Sequence, residues 1–134
     1  YNCVASQVAV ISADWPQKEE FLRELREAFD RAPSRRDYYP GSADRVATAR
    51  AGYGERAQAV GPDGARTLVF GLRADRTEEA LHTEYFAPVY GVLELPGDAA
   101  SFLVTAVRAA NEDFEGTLGV NIVADGLLHG RMRR

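Results

Sequence analysis

The chain has 134 residues, of which 46% are hydrophobic and 27% are charged, and its net charge is −4. This composition is typical of a single globular domain over residues 1–134, and the sequence lacks the run of about twenty apolar residues that a membrane-spanning helix needs. Twenty acidic against sixteen basic residues argue against a binder of the phosphate backbone, so we expect neither a membrane nor a nucleic acid among its partners.

The first elements along the chain are a predicted strand and a predicted helix. Val8-Ala9-Val10-Ile11 is an apolar, β-branched run of strand length. Pro16 is acceptable in a first helical turn, and apolar side chains then recur at intervals of three and four residues. These positions are Phe21, Leu22, Leu25, Ala28 and Phe29. Pro33 ends the helical pattern.

The middle of the chain gives a weaker signal, because glycine and proline punctuate residues 34–65 with turn chemistry. A short helix over about residues 42–50 is predicted, with Ser42 as its cap. Residues 67–72 then form an apolar run that predicts a strand.

The last part of the chain alternates strand and helix patterns. Residues 89–95 give the clearest strand, and Asp98 can cap the helix that follows. Apolar side chains at helical spacing continue to Ala110, Gly116 is the predicted terminator, and residues 118–123 are a predicted final strand. The alternation predicts an α/β fold with an at least partly parallel sheet and helices packed on it.

Cys3 is the single cysteine, and no methionine precedes it. We therefore expect a segment of a larger protein, with no internal disulfide and a cytoplasmic location, although a segment can have lost its leader. A thiol just before a buried strand can lie in a loop that faces a cleft, near backbone N–H groups that would bind an oxyanion. The alternative is a small buried hydrophobe, which composition alone favours.

A second candidate segment is Glu84-Tyr85-Phe86-Ala87-Pro88-Val89, which precedes the clearest predicted strand. A carboxylate can accept two hydroxyl hydrogen bonds, so Glu84 with the neighbouring aromatic ring suits a ribose and a flat heterocycle. The alternative is a loop with an exposed Glu84 and a core-packed Phe86. Neither histidine has a partner at metal-ligand spacing, so no metal site is expected.

Together these segments resemble the NAD(P)-dependent aldehyde dehydrogenase superfamily. Asn2-Cys3-Val4-Ala5-Ser6, followed by a strand and a helix rich in Phe and Leu, is similar to the family's nucleophile segment. Glu84-x-Phe86-x-Pro88-Val89 resembles its Glu-x-Phe-x-Pro-Val signature, 84 − 3 = 81 positions after the cysteine, which is somewhat short for the family. Ala109-Ala110-Asn111, with the glycines that follow it, resembles the family's alanine-asparagine helix end. A glycine and a glutamine normally precede the family's cysteine, whereas Tyr1 and Asn2 stand here, so the resemblance is to a divergent branch.

The resemblance implies an oxidoreductase whose catalytic nucleophile is Cys3. Its thiolate would attack an aldehyde to give a thiohemiacetal, and hydride transfer to NAD or NADP would leave a thioester. Glu84 would bind the nicotinamide-side ribose, and Phe86 would flank the nicotinamide ring. The family's nucleotide-binding domain and its general base lie upstream of the cysteine, so the 134 residues alone are expected to be inactive.

The family also associates through subunit contacts, so a homo-oligomer is expected. Two other interpretations compete with the enzyme. One is a non-catalytic α/β interaction module in which Cys3 is incidental, and the other is a small cysteine hydrolase, for which no convincing base is present. The identity of the aldehyde, the choice between NAD and NADP, and the choice between water and coenzyme A as the acyl acceptor are not determined by these residues.

Overall fold

A computed structural model describes residues 3–124 of the chain. Within them, four strands and three helices follow in the order β1 (Val8–Ser12), α1 (Lys18–Arg31), α2 (Ser42–Tyr53), β2 (Ala57–Val60), β3 (Arg66–Leu72), β4 (Val89–Leu95) and α3 (Ser101–Glu112). The strands lie in the order β1-β4-β3-β2. β4 is parallel to both β1 and β3, and β2 is antiparallel to β3. The prediction of an α/β fold with a partly parallel sheet is therefore confirmed.

Helices cover both faces of the sheet. Side chains of a strand alternate between its two faces, so each strand contributes to two apolar layers. Val92 and Ile11 point to the layer under α1, where Leu22 is buried and Phe21 and Leu25 pack against it. The opposite and larger layer lies under α2 and α3 and contains Tyr53, Ala109 and Leu93. Two apolar layers explain why the central strand β4 is apolar along almost its whole length.

One arginine joins the β2–β3 hairpin to the end of α1. Arg66, the first residue of β3, donates hydrogen bonds to the carbonyl oxygens of Phe29 (3.0 Å), Ala32 (3.0 Å) and Pro33 (2.7 Å). These carbonyls have no partner within the helix, and a guanidinium also balances the negative end of the helix dipole. Arg66 therefore satisfies the carbonyl groups at the carboxyl-terminal end of α1, next to Pro33.

The predicted strands at 8–11, 67–72 and 89–95 and the predicted first helix are present with small changes in their bounds. Ser42 is not the cap of α2: Gly41 takes the capping position with φ 77°, a left-handed conformation that favours glycine. Ser42 is instead the first helical residue and is buried. No helix of the described range is long and apolar enough to cross a membrane.

The predicted end of the chain differs from the structure in two ways. α3 ends at Glu112, four residues before the predicted terminator Gly116. Residues 118–123 form no strand, and Leu118, Val120, Ile122 and Val123 are exposed. Their alternating pattern is typical of a strand, but a strand is stable only when it pairs, and this segment has no pairing partner among residues 3–124. Tyr1, Asn2 and residues 125–134 lie outside the described residues.

Candidate functional site

The two candidate segments lead into neighbouring parallel strands. Cys3 lies five positions before Val8, the first residue of β1, and Glu84 lies five positions before Val89, the first residue of β4. In the β1–β4 pairing Val8 is opposite Gly91. Because the strands are parallel, both segments lie at the amino-terminal ends of these strands, and in this sense at the same edge of the sheet.

Gln7 joins these two segments. Its side-chain oxygen Oε1 accepts a hydrogen bond from the backbone N–H of Tyr85 (2.9 Å). Its Nε2 donates to the carbonyl oxygens of Thr83 (2.7 Å) and Ala80 (3.0 Å). The main-chain oxygen of Gln7 also accepts from Gly91 N–H at 2.8 Å. One residue between Cys3 and β1 therefore fixes the main chain on both sides of Glu84.

Tyr85 anchors the Glu84–Phe86 segment in the core. Its side chain is buried in the layer under α2 and α3, whereas Glu84 is exposed and Phe86 is half-buried. Tyr53, in the same layer, accepts a hydrogen bond from the backbone N–H of Ala80 at 2.8 Å. Burial raises the pKa of the hydroxyls of both Tyr85 and Tyr53, so these phenols remain neutral. Glu84 is thus carried by a segment that the core holds in place.

Phe86 has an unusual backbone conformation and contacts one residue of α2 and one residue of the loop before it. Its φ is 46°, in the left-handed region that residues other than glycine rarely adopt. Arg45 Nη2 donates to the Phe86 carbonyl oxygen at 3.3 Å. The ring of Tyr39 meets the Phe86 ring edge-on, with centroids 4.6 Å apart and planes at 81°. Both the main chain and the ring of Phe86 are therefore held from α2 and its preceding loop.

Cys3 is exposed and lies in a turn at the amino end of the described chain. Its thiol is therefore accessible to reagents in solution. Among residues 3–124, no group of three or more His, Cys, Asp and Glu side chains is arranged to hold a metal ion.

Glu84 and Phe86 lie two positions apart in the loop before β4. Glu84 is exposed and forms no ion pair within the described range, so both of its carboxylate oxygens are available to hydroxyl donors. Phe86 offers an aromatic ring whose position is fixed by neighbouring groups.

The sequence did not predict the contribution of three residues near this edge, which are Gln7, Arg45 and Tyr39. Gln7 could have been noticed as a polar residue with a long side chain directly before a buried strand. Tyr39 belongs to the aromatic and turn-forming stretch Tyr38-Tyr39-Pro40-Gly41, a pattern that indicates a turn but no particular contact. Arg45 has no local signature, since its partner Phe86 lies 41 positions away.

Comparisons with protein-family models, with curated proteins and with solved structures find no match for this chain.

Proposed function

We propose that this chain is the nucleophile-bearing segment of an NAD(P)-dependent oxidoreductase of the aldehyde dehydrogenase type. Cys3 is the nucleophile, and Glu84 and Phe86 hold the nicotinamide end of the cofactor. The observation that carries the proposal is the approach of the Cys3 and Glu84–Phe86 segments to one edge of the sheet through the parallel strands β1 and β4, with Gln7 joining them.

The chemistry assigned to the chain is covalent catalysis by sulfur. The Cys3 thiolate attacks the aldehyde carbon, a C–S bond forms, and the carbonyl π electrons move to oxygen, which takes a proton. Bound NAD(P) supplies a hydride acceptor. Loss of hydride and of the hydroxyl proton from the Cys3 adduct leaves a thioester on Cys3, and attack by water or by a thiol such as coenzyme A releases the acyl group and restores the thiol. Glu84 holds ribose hydroxyls, and Phe86 covers the ring and excludes water beside it.

The exposure of Cys3 is compatible with this role, because the carbonyl carbon must reach the sulfur. A backbone N–H near Cys3 would stabilise the developing oxyanion. We place the general base and the remaining cofactor contacts in sequence outside the 134 residues, and on this proposal the isolated segment is inactive.

The test uses the full-length protein that contains these residues, assayed for reduction of NAD and of NADP with a panel of aldehydes. Cys3→Ala and Cys3→Ser are expected to lower kcat by at least about 10³-fold. Ser6→Ala, in the same exposed loop, is the matched control and should retain activity. Iodoacetamide should inactivate the protein in proportion to alkylation of Cys3, and an aldehyde should slow that inactivation. Full activity in Cys3→Ala, or no cofactor reduction with any aldehyde, would contradict the proposal.

A second candidate function, a non-catalytic interaction module, is favoured by the exposed apolar side chains near the end of the described range. Val104 of α3 is 72% exposed, and Val120 and Val123 are 76% and 98% exposed. Surfaces of this kind bind other proteins or another copy of the chain. On either function we propose self-association, which sedimentation of the 134-residue chain can measure. A monomer at high concentration would contradict self-association. Slow alkylation of Cys3 together with full activity of Cys3→Ala would favour the interaction module over the enzyme.

A further inference from the structure

Phe86 is one of two residues other than glycine that have positive φ within the described range. Such a conformation persists only where neighbouring groups hold it, and it is concentrated at functional sites. The residue lies in the loop between Glu84 and β4 and is itself assigned above to cofactor binding. What holds Phe86 is therefore relevant to the site.

Arg45 holds the main chain of Phe86. Its Nη2 donates to the Phe86 carbonyl at 3.3 Å, and its Nη1 donates to the Pro40 carbonyl at 3.2 Å. It forms no ion pair with a carboxylate in the described part of the chain, and its Nε is buried without a hydrogen-bond partner there. The observed contacts of this guanidinium therefore join two loops through their carbonyl oxygens.

Tyr39 holds the ring of Phe86. Its own ring is edge-on to Phe86, and its position depends on the turn at Gly41, whose φ of 77° lets the chain reverse before α2. A Cβ on Gly41 would lie 3.1 Å from Arg45 Nη1, so glycine also leaves room for the guanidinium. Arg45, near the start of α2, and Tyr39, just before that helix, therefore reach Phe86 from neighbouring positions along the chain.

We propose that Arg45 and Tyr39 are positioning residues of the cofactor site: they fix the main chain and ring of Phe86 so that the ring is in place before the nicotinamide binds. This inference rests on the proposed function. A side chain that is already fixed before binding lowers the entropy cost of binding. When the contacts that fix it are lost, we expect the affinity for the cofactor to fall, while the rate of the chemical step in the bound complex changes little.

The experiment uses the full-length protein and the variants Arg45→Met, Tyr39→Leu and Tyr39→Phe, with Arg36→Met as the control for loss of an exposed arginine. Binding of NADH and NADPH is measured by nucleotide fluorescence, and hydrogen exchange of the peptide that covers residues 84–90 is measured without nucleotide. We expect the Kd of the preferred nucleotide to rise about tenfold in Arg45→Met and in Tyr39→Leu. Tyr39→Phe keeps the ring and should bind as the unaltered protein does, and Arg36→Met should show no change.

Two further readouts separate positioning from general destabilisation. Hydrogen exchange of residues 84–90 should become faster in Arg45→Met and Tyr39→Leu, while kcat at saturating cofactor stays within about threefold. Unchanged nucleotide affinity in both variants would overturn this inference and leave the role of Cys3 intact. Absence of nucleotide binding by the unaltered protein would overturn it together with the proposed function. If Arg45→Met does not fold, Tyr39→Leu still decides, because Tyr39 is 38% exposed and lies outside the core clusters.

Discussion

The carboxylate of Glu78 lies 2.8 Å from Nη2 of Arg56, although the Glu78 side chain is only 3% exposed. The same carboxylate oxygen accepts the backbone N–H of Arg73 at 2.8 Å, and Arg56 Nη2 also donates to the Gly71 carbonyl at 2.7 Å. These bonds fix the chain where β3 ends and where the short turn Glu79–Leu81 begins. That turn leads directly to the segment that carries Glu84.

Glu78→Gln is expected to destabilise the fold. The amide removes the charge opposite Arg56, so the hydrogen bonds that Arg56 and the Arg73 N–H donate to one buried oxygen lose their charge assistance. Because Arg56 is partly exposed, we expect the free energy of unfolding to fall by about 1–3 kcal/mol, rather than by the larger amount typical of fully buried pairs. Urea unfolding of the 134-residue chain measures this change in the free energy of unfolding. Glu55→Gln, an exposed neighbour, should change stability little; an equal effect in both variants would contradict the role of the buried pair.

How far the sequence predicts this fold depends on whether an element is specified locally. Residues 89–95 could be predicted because a strand buried on both faces is apolar along almost its whole length. α1 could be predicted because its apolar residues share one helix face. β2 could not, since Gln58 and Ala59 are exposed and the strand exists only through its pairing with β3. Residues 118–123 show the converse, a strand-like pattern without a pairing partner in the described range.

The candidate site divides in the same way. Cys3, Glu84 and Phe86 could be selected because their chemistry and their places before strands are visible in the sequence. The contacts of Gln7 and Arg45 could not be predicted, because each residue acts on main-chain groups of a distant segment, 78 positions away for the contact of Gln7 with Tyr85. Such contacts need only a donor or acceptor of sufficient length, so they leave no motif.

Gln7→Glu tests the junction between the two candidate segments. A glutamate has no N–H to donate to the carbonyls of Thr83 and Ala80, and its oxygens would repel theirs. We expect the free energy of unfolding to fall by about 1–2 kcal/mol, since the partly buried carbonyl of Ala80 and the exposed carbonyl of Thr83 lose their donor. Gln58→Glu is the matched control, because Gln58 is exposed and its Oε1 already accepts from Arg26. Chemical denaturation of both variants measures the difference, and stability of Gln7→Glu equal to that of the control would show that the junction contributes nothing.

Gly91→Ala tests the packing between β4 and β3. A methyl group at Gly91 would overlap Cδ1 of Leu72 and lie 3.6 Å from Cγ2 of Val8. Leu72 is buried, so its side chain has little room to move. We expect the free energy of unfolding, measured with heat or urea, to fall by about 1–3 kcal/mol. Shortening the neighbour in the double variant Gly91→Ala/Leu72→Val should recover part of that loss.

The control for Gly91 is Gly116→Ala, where an added Cβ meets no atom within 4 Å. It should be neutral or slightly stabilising. A double variant whose loss equals the sum of the two single losses would argue against the Leu72 overlap as the cause.

The hydrogen bonds of Asp98 at the start of α3 predict that stability depends on pH. Its Oδ1 accepts hydrogen bonds from the backbone N–H groups of Ser101 (3.0 Å) and Ala100 (3.1 Å) and from the Ser101 hydroxyl (2.8 Å). These bonds, the Ser101 backbone first, hold the pKa of the Asp98 carboxyl below its ordinary value. A carboxyl whose pKa is lower in the folded state adds stability above its unfolded pKa of about 3.9, and this stability is lost as the pH falls through the folded value.

Asp98→Asn keeps an acceptor oxygen at the start of α3 but has no carboxyl to titrate. We expect the unaltered chain to be more stable than this variant by a constant amount above about pH 5. The difference should shrink as the pH falls below about 4, because the carboxyl then takes up the proton that the folded state disfavours. Urea midpoints measured from pH 7 to pH 2.5 test this, with Asp98→Ala showing the loss of the acceptor itself. A difference that stays constant down to the lowest pH would mean that the Ser101 and Ala100 contacts do not favour the charged form, and that α3 begins without help from this carboxylate.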